Sequence, residues 1–458
     1  MTVFVKIKAT AGGMAVSLNA LLGVALMASP ALAAPAAAET EEAPAEATEA
    51  PAEAAAEEPA PAPEEKVVLE ETPAPEAKPE PPKPPLIAVY GIIKPEIIVA
   101  KGAETFGRAI LVAPTAASNP IADPNYEHAA LSFQIQQTRF GIKIGEGGPL
   151  SGRLEIDFVD STFSLSSPIQ AARPRLRLAY ATYKPGPQHT IMVGQNWDIF
   201  SPVNPLTMNM VGASFQAGNS AFLRPQVAYT YGTGQGIEIA GAIGLRAQNT
   251  GTTLANLEYG LVPSFAVQAG YRMGKTWFGI SGIISAEQTQ LEPNRVYAST
   301  FAGNLFANWV ATDWLTLLGE MYIGKNTNAL GLLTLGSGAT VTDAGGHVSA
   351  NIKFAQMHSL WVLAGVAGVL NPGALPIGYT PATTVDPITP AARLGIGGIT
   401  SNVNLRATYV LTPMEGLQFY VEPFIFLTRH KLNAADDPTG ELASRVAPGA
   451  QIGSKYTF

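Results

Sequence analysis

The chain has 458 residues, of which 14 % are charged and 47 % hydrophobic, and it contains 45 glycines and no cysteine. This composition is apolar for a soluble protein. Beyond residue 33, however, the longest apolar run is 361–370, well short of the roughly 18 residues that a membrane-spanning helix needs. The absence of cysteine excludes disulfides and thiolate metal sites. A transmembrane β-barrel fits these features, because its strands alternate apolar and polar residues instead of running apolar throughout.

The N-terminal residues have the pattern of a secretory signal peptide. Lys6 and Lys8 precede a small-residue apolar stretch at 9–29, and Ala33 ends a small-residue cleavage site. This pattern predicts a signal peptide over residues 1–33 and therefore export from the cytoplasm. An N-terminal membrane anchor is the alternative, but glycine, serine and asparagine interrupt the apolar stretch.

Residues 34–85 form an acidic, proline-rich segment of low complexity. Fourteen glutamates against three lysines give it a net charge of −11, and thirteen prolines block regular structure. We predict a disordered periplasmic linker, which acts either as a tether towards the cell wall or as a solubilising leader. The whole chain carries −8 and residues 1–33 carry +2, so residues 86–458 sum to about +1.

From residue 86 onward, the sequence breaks into segments with period-two alternation that are separated by turn residues. Their number, about 16, and their spacing predict an all-β fold, a transmembrane antiparallel barrel of porin size over 86–458. The predicted strands are 86–99, 131–144, 151–162, 174–184, 189–197, 223–232, 236–247, 263–273, 276–288, 296–311, 313–324, 345–356, 358–369, 393–399 running into 403–411, 416–430 and 448–458.

The connections between these segments differ in length, as they do in outer-membrane barrels, where short turns face the periplasm. The short turns are 145–149, 185–188 and 412–416, and the long connections are 100–130, 198–222, 325–344, 370–392 and 431–447.

Alternation also predicts which side chains face lipid. In the segment RLEIDF, Arg153, Glu155 and Asp157 share one face, and apolar side chains share the other. Because an arginine or lysine at the lipid midplane costs about 2–4 kcal/mol, the charged face is expected to line the lumen. In the last segment, Tyr456 and Phe458 fall on the lipid face. Aromatic residues two apart at the end of a chain resemble the signature that the outer-membrane assembly machinery recognises.

Inward-pointing basic residues are concentrated in the first third of the predicted barrel. Neighbouring strands lie about 4.8 Å apart, so these residues can form a ladder on one wall and favour anions in a water-filled lumen. Acidic residues on the same wall can instead neutralise it, which leaves a polar lining without preference. The predicted pore-lining set is Arg139, Lys143, Arg153, Glu155, Asp157, Arg175, Arg177 and Arg224.

The connection 198–222 is long, has few charges and contains apolar side chains that are costly to expose on an external loop. We expect it to fold into the lumen and narrow it. The residues singled out there are Asp198 and Asn204, placed at the constriction, together with Met208, Met210 and Phe215.

Five ordered motifs resemble those of the DcaP-like trimeric porins of outer membranes. They are VYGIIKPEII (89–98), QTRFGIKI (137–144), RLRLAYATY (175–183), VGQNWDIF (193–200) and RPQVAYTY (224–231).

The resemblance implies a homotrimer of 16-stranded barrels with the third loop folded inward, and a preference for small negatively charged solutes. It also implies that Gln195 and Trp197 support that loop. Where such porins carry an N-terminal coiled-coil segment, this chain has the proline-rich linker, which cannot form a coiled coil.

The function predicted from the sequence is passive diffusion of small hydrophilic, anionic solutes through the bacterial outer membrane. Outer-membrane lipid and the assembly machinery are the expected partners, with no nucleic acid, no cofactor and no metal. A structural envelope tether acting through the acidic linker is the alternative. We expect no enzyme activity, because the five histidines show no metal-binding spacing. His430, at a strand end, is the residue that an outer-membrane hydrolase, the third alternative, would use.

Overall fold

The computed structural model describes residues 86–101, 104–106, 109–112, 129–159, 174–210, 214–245, 262–290, 296–330, 332, 340–375, 399–431 and 444–458. The predicted signal peptide and linker lie outside these residues, as do most of the connections 370–392 and 431–447. In the described part of the chain, no helix has the length and apolar character needed to cross a membrane.

Strands make up most of the described chain. They are β1 (Ile87–Ile93), β2 (Glu96–Lys101), β3 (Glu104–Phe106), β4 (Ala109–Val112), β5 (Ala129–Gln134), β6 (Arg139–Ile144), β7 (Leu150–Asp157), β8 (Arg175–Gly186), β9 (His189–Trp197), β10 (Leu223–Gly232), β11 (Ile237–Gly244), β12 (Ser264–Met273), β13 (Thr276–Gln290), β14 (Val296–Val310), β15 (Leu315–Lys325), β16 (Thr342–Ala355), β17 (His358–Val369), β18 (Ile399–Met414), β19 (Leu417–His430) and β20 (Ser444–Thr457).

These strands form a closed antiparallel barrel of 16 strands, as the sequence predicts. Each strand pairs with the next along the chain, and β20 closes the barrel by pairing with β1 and β2. The last strand thus pairs with the first, as closure of a barrel requires. The hairpin β3–β4 lies in the first long connection and pairs only with itself among the described strands.

Two of the 16 barrel strands are interrupted, which the alternation does not reveal. The first consists of β1 and β2, with a break at Lys94 and Pro95, where proline lacks the N–H needed for the ladder. The second consists of β5 and β6, with a break at 135–138. Because β1 pairs with β6 and β2 pairs with β5, the two breaks lie side by side in the wall.

The predicted faces are confirmed by burial. On β7, Glu155 and Asp157 are 2 % and 0 % exposed, whereas Leu154, directly before them, is 41 % exposed. On β20, Gln451 is buried and Ile452 is 55 % exposed. The outer surface is therefore apolar and the inner surface polar, the reverse of a soluble β-sandwich and the arrangement that a lipid environment requires.

Most strand ends lie within three residues of the predicted ones, and larger differences occur in three strands. The predicted strand 151–162 ends already at Asp157. The fourteenth barrel strand is the single strand β18, which runs unbroken from Ile399. The last strand begins at Ser444, four residues earlier than predicted, because Pro448 does not end it. Pairing with β2 reaches only as far as Gly449, so Pro448 has a single neighbouring strand, and such an edge position tolerates a missing N–H.

Candidate functional site: the inner wall and the loop 198–222

The loop 198–222 connects β9 to β10 and follows the inner wall of the barrel. Its first residues already meet side chains of distant strands. Gln268 on β12 donates to the carbonyl of Ile199 at 2.8 Å, and Asn304 on β14 donates to the carbonyl of Phe200 at 2.9 Å. These inward amides satisfy loop carbonyls that would otherwise be buried without partners. We call residues 199–210 the first limb of the loop.

Glu320, on β15, is the first buried carboxylate that holds the first limb. It is 2 % exposed, it accepts the hydroxyl of Ser201, and it accepts the backbone N–H of Val203 at 2.5 Å. His347, its register partner on β16, has Nε2 at 3.2 Å from the carbonyl oxygen of Val203. Side chains from two adjacent strands thus hold both polar groups of Val203.

Glu422, on β19, is the second buried carboxylate and is 0 % exposed. Buried charges are tolerated when they are paired and their lone pairs are fully used, and Glu422 meets both conditions. Its donors are Thr207 Oγ1 (2.7 Å), Met208 N (2.8 Å), Arg406 Nη1 (2.8 Å), Thr408 Oγ1 (2.5 Å) and Gln451 Nε2 (2.9 Å).

The first limb ends at the interrupted second barrel strand. Gln137, in the break between β5 and β6, accepts the N–H of Met210 at 2.8 Å and donates to Asn209 at 3.3 Å. Arg139, at the start of β6, donates to the carbonyl of Met210 at 2.9 Å. The break therefore supplies the side chains to which the end of the limb docks.

The loop then returns along the inner wall towards β10. Asn404 and Asn402, both on β18, donate to Ser214 Oγ and to the carbonyl of Gln216, each at 3.1 Å. Gly218 has φ +105° and lies against the backbone of Gly346, where an added Cβ would clash. Only glycine permits that backbone conformation and that close approach together.

The opposite wall carries the predicted arginine ladder, interleaved with two carboxylates. Arg175 binds Asp157 with two hydrogen bonds, at 2.9 and 2.6 Å, and Arg177 binds Glu155. Arg153 donates to Glu155 at 2.8 Å. Bidentate arginine–carboxylate pairs fix geometry as well as charge. We call six inward side chains of β6–β8 the basic wall: Arg139, Arg153, Glu155, Asp157, Arg175 and Arg177.

The members of the basic wall differ in access to the lumen. The side chains of Arg153 and Arg175 are 33 % and 41 % exposed, whereas that of Arg177 is 8 % exposed. Tyr90, on β1, accepts a hydrogen bond from Arg153 at 2.6 Å and donates one to Glu155 at 2.8 Å. Among the described residues, the loop forms no hydrogen bond with the inward side chains of β7 or β8.

The two remaining residues of the predicted pore lining have other partners. Arg224 is 2 % exposed and binds Asp198 at 2.5 Å as well as the carbonyl of Leu330 at 2.6 Å. Arg224 therefore holds the first residue of the loop, Asp198, in an ion pair. Asp198 is itself 2 % exposed. Lys143 lies opposite Arg153 in the register of β6 and β7 and binds the exposed Glu146 at 3.0 Å, near a short turn.

The loop residues singled out in the sequence also differ in placement. Asn204 and Met210 are partly exposed, whereas Met208 is 1 % exposed and packs with Val410 and Tyr420. Phe215 packs with a small cluster that includes Ala367. The apolar loop residues Met208 and Phe215 are thus covered by the wall.

Gln195 and Trp197, on β9, contact Arg177 of the basic wall. Gln195 donates to the carbonyls of Leu176 and Arg177 at 3.1 and 3.0 Å, and the guanidinium of Arg177 lies 5.2 Å from the centre of the Trp197 ring. Both side chains position Arg177, a role distinct from the loop support that the resemblance implies. Among the described residues, no group of three His, Cys, Asp or Glu side chains is arranged to hold a metal ion.

Solved structures similar to this one are outer-membrane barrels. The outer membrane channel DcaP of Acinetobacter baumannii matches over 81 % of this chain and 97 % of its own, with 16 % identity and a TM-score of 0.59. The fold is that of the outer-membrane porins. An anion-selective porin from Comamonas acidovorans covers 81 % of this chain and 99 % of its own, with 10 % identity and a TM-score of 0.49. No protein-family model and no curated protein matches the sequence.

Several residues that organise the interior of this barrel were not singled out from the sequence. Glu320, Glu422 and Gln137 hold the loop, and Tyr90 joins the basic wall to β1. The sequence feature that could have identified them is an acidic or amide residue at an inward position of an otherwise apolar strand. Alternation shows that such a side chain faces inward, but it does not show what it binds.

Proposed function

We propose that this barrel is a passive diffusion porin for small hydrophilic, anionic solutes, with the loop 198–222 as its constriction. The path of the first limb carries the proposal. The first limb forms hydrogen bonds with inward side chains from β12 to β16, and then with side chains of β19 and β6. Arg153 and Arg175, on the basic wall, stay exposed. A solute would pass between the first limb and the basic wall.

The charge of the basic wall supports a preference for anions. Its four arginines face two carboxylates, so the wall carries a net charge of about +2. Its two most exposed groups are Arg153 and Arg175, both cationic, while Glu155 and Asp157 are buried beneath them. A solute therefore meets guanidinium groups first. Charged rings or walls of this kind set selectivity through the local field, and no cofactor is needed.

Planar bilayers with the purified protein test both parts of the proposal. We expect stepwise conductance, and a reversal potential in a KCl gradient that indicates anion preference. The double variant Arg153→Gln with Arg175→Gln should lower the anion-to-cation permeability ratio by about threefold, because it removes the two accessible charges. Asp157→Asn should raise it. Absence of conductance would refute the porin, and cation preference of the unmodified protein would refute the role of the basic wall.

The location and assembly of the protein form part of the same proposal. We place the barrel in the bacterial outer membrane, with residues 1–33 removed as a signal peptide and residues 34–85 in the periplasm. We propose a homotrimer, inserted by the outer-membrane assembly machinery through Tyr456 and Phe458. The apolar outer face and the porin fold support this proposal.

A further inference from the structure

The seam that closes the barrel brings two lysines together. The pairs Ile93↔Tyr456 and Glu96↔Gly453 fix one register between the first barrel strand and β20. Continued across the break, this register places Lys94 opposite Lys455, and both positions face inward. Like charges directly opposite each other destabilise an antiparallel pair, so each lysine needs compensation.

Lys94 is compensated within the protein. It is fully buried, and its Nζ lies 2.5 Å from Oε2 of Glu96. The hydroxyl of Tyr420 donates to the same carboxylate oxygen at 2.9 Å, and the ring of Tyr420 lies 5.3 Å from Nζ. Lys94 and Glu96 therefore form an ion pair under the inner surface, through one oxygen of the Glu96 carboxylate.

Lys455 has no such compensation. It is partly exposed to the lumen, and no acidic group of the described residues forms an ion pair with it. The charged groups that act on it are Lys94 and Arg139, and both are cationic. Because Lys94 is paired with Glu96, Lys455 and Arg139 are the cationic groups that an anion from solution would meet at this part of the seam.

Two side chains near the seam have polar atoms without partners: Gln418, on the strand adjacent to Lys455, and Arg139, which acts electrostatically on Lys455 from the far side of the first barrel strand. Nε of Arg139 is buried and has no hydrogen-bond acceptor, although another nitrogen of the same guanidinium binds the loop. Oε1 of Gln418, the register partner of Lys455 on β19, is also buried without a donor. Buried polar groups are rarely left unpaired, and an amide turned by 180° would present its N–H₂ group instead.

We infer that Lys455 and Arg139 form an anion-binding station at the barrel seam, with Gln418 beside it, for a carboxylate or a phosphate-type oxyanion. The station is separate from Arg153 and Arg175 and faces the aqueous lumen, so its ligand is a dissolved solute. An oxyanion there accepts charge-assisted hydrogen bonds from Lys455 and from Nε of Arg139. The inference rests on the proposed porin function, because the anion must reach the lumen.

Inhibition by inorganic phosphate tests the station in the full-length protein. The measurement is the phosphate concentration that halves the single-channel chloride conductance in planar bilayers. We expect Lys455→Gln to raise this concentration by about fivefold or more, because one charge-assisted contact is lost, and Lys455→Arg to keep it near the original value. The matched control is Lys353→Gln, since Lys353 is an exposed inward lysine near the end of β16.

The outcomes separate the station from the pore. A Lys455→Gln effect no larger than that of Lys353→Gln overturns the station. So does a Lys455→Arg variant that behaves like Lys455→Gln, because retained charge must retain binding. The station can fail while the proposed porin function holds. This is the result if the Lys455 variants behave as just described and the Arg153 and Arg175 double variant still shifts the reversal potential. Heat-dependent gel mobility confirms that each variant barrel is folded before conductance is measured.

Discussion

The two sides of the lumen use the same residue type in different ways. On the loop-bearing side, Glu320 and Glu422 are buried and accept hydrogen bonds from the loop backbone and its hydroxyls, and Glu422 is also paired with Arg406 of the wall. On the basic wall, Glu155 and Asp157 are equally buried but are held by arginines. A carboxylate fixes the position of a loop in the first case and sets the net charge of a wall in the second.

The comparison teaches what determines the role of an inward carboxylate. A carboxylate that faces uncommitted backbone N–H groups acts as an anchor, because those groups need an acceptor when they leave water. A carboxylate between arginines already has its donors, so it orders them and lowers their net charge. Replacing each type should therefore have different effects on stability and on selectivity.

The largest effect is expected at Glu422. Glu422→Gln leaves Arg406 buried without its counter-ion and weakens the contacts to Thr207 and Met208. Removing one partner of a buried ion pair costs about 3–5 kcal/mol, so the free energy of unfolding should fall by about that amount. Denaturant unfolding in detergent or lipid measures it. Thr408→Val is the control, because it removes one of five hydrogen bonds and should cost about 1 kcal/mol. Equal losses in the two variants would contradict the anchor role.

A smaller effect on the barrel is expected at Glu320. Glu320→Gln keeps one acceptor oxygen, and no described cation loses its partner. We expect a loss of about 1–3 kcal/mol, confined to the docking of the loop. Single-channel recordings should show more current noise, because the limb near Val203 is less firmly held. A loss of barrel stability as large as that of Glu422→Gln would show that Glu320 supports the strands and not the loop.

The sequence predicted the barrel better than its interior. Alternation is a local signal, so strands such as β9 and β10 were placed with their true ends, and the faces of β7 and β20 were assigned. The loop path depends on contacts between residues far apart in the chain, such as Ser201 with Glu320 and Thr207 with Glu422, separated by 119 and 215 positions. No local pattern encodes such pairs.

Arginine placement shows the same limit. Alternation correctly predicts that Arg177 and Arg224 face inward. It does not predict whether an inward side chain is accessible to a solute in the lumen. Arg224 is covered by the base of the loop, and Arg177 lies over Trp197 and against Glu155. The sequence left open whether acidic residues neutralise the ladder. The structure shows two carboxylates among four arginines, a partial neutralisation that depends on cross-strand register.

The smallest effect is expected outside the barrel. If the two sides of the lumen determine the current, deleting residues 34–85 with the signal peptide retained should leave conductance and reversal potential unchanged. The reason is that the −11 charge of this segment belongs to a predicted periplasmic linker, and exposed charges are screened beyond about 10 Å at 0.1 M salt. Planar-bilayer recordings of the deletion variant measure both quantities, and cell-wall pull-down from the same cells tests the tether. A shifted reversal potential would mean that the linker reaches the pore, and lost cell-wall association with an intact current would assign it a second, structural role.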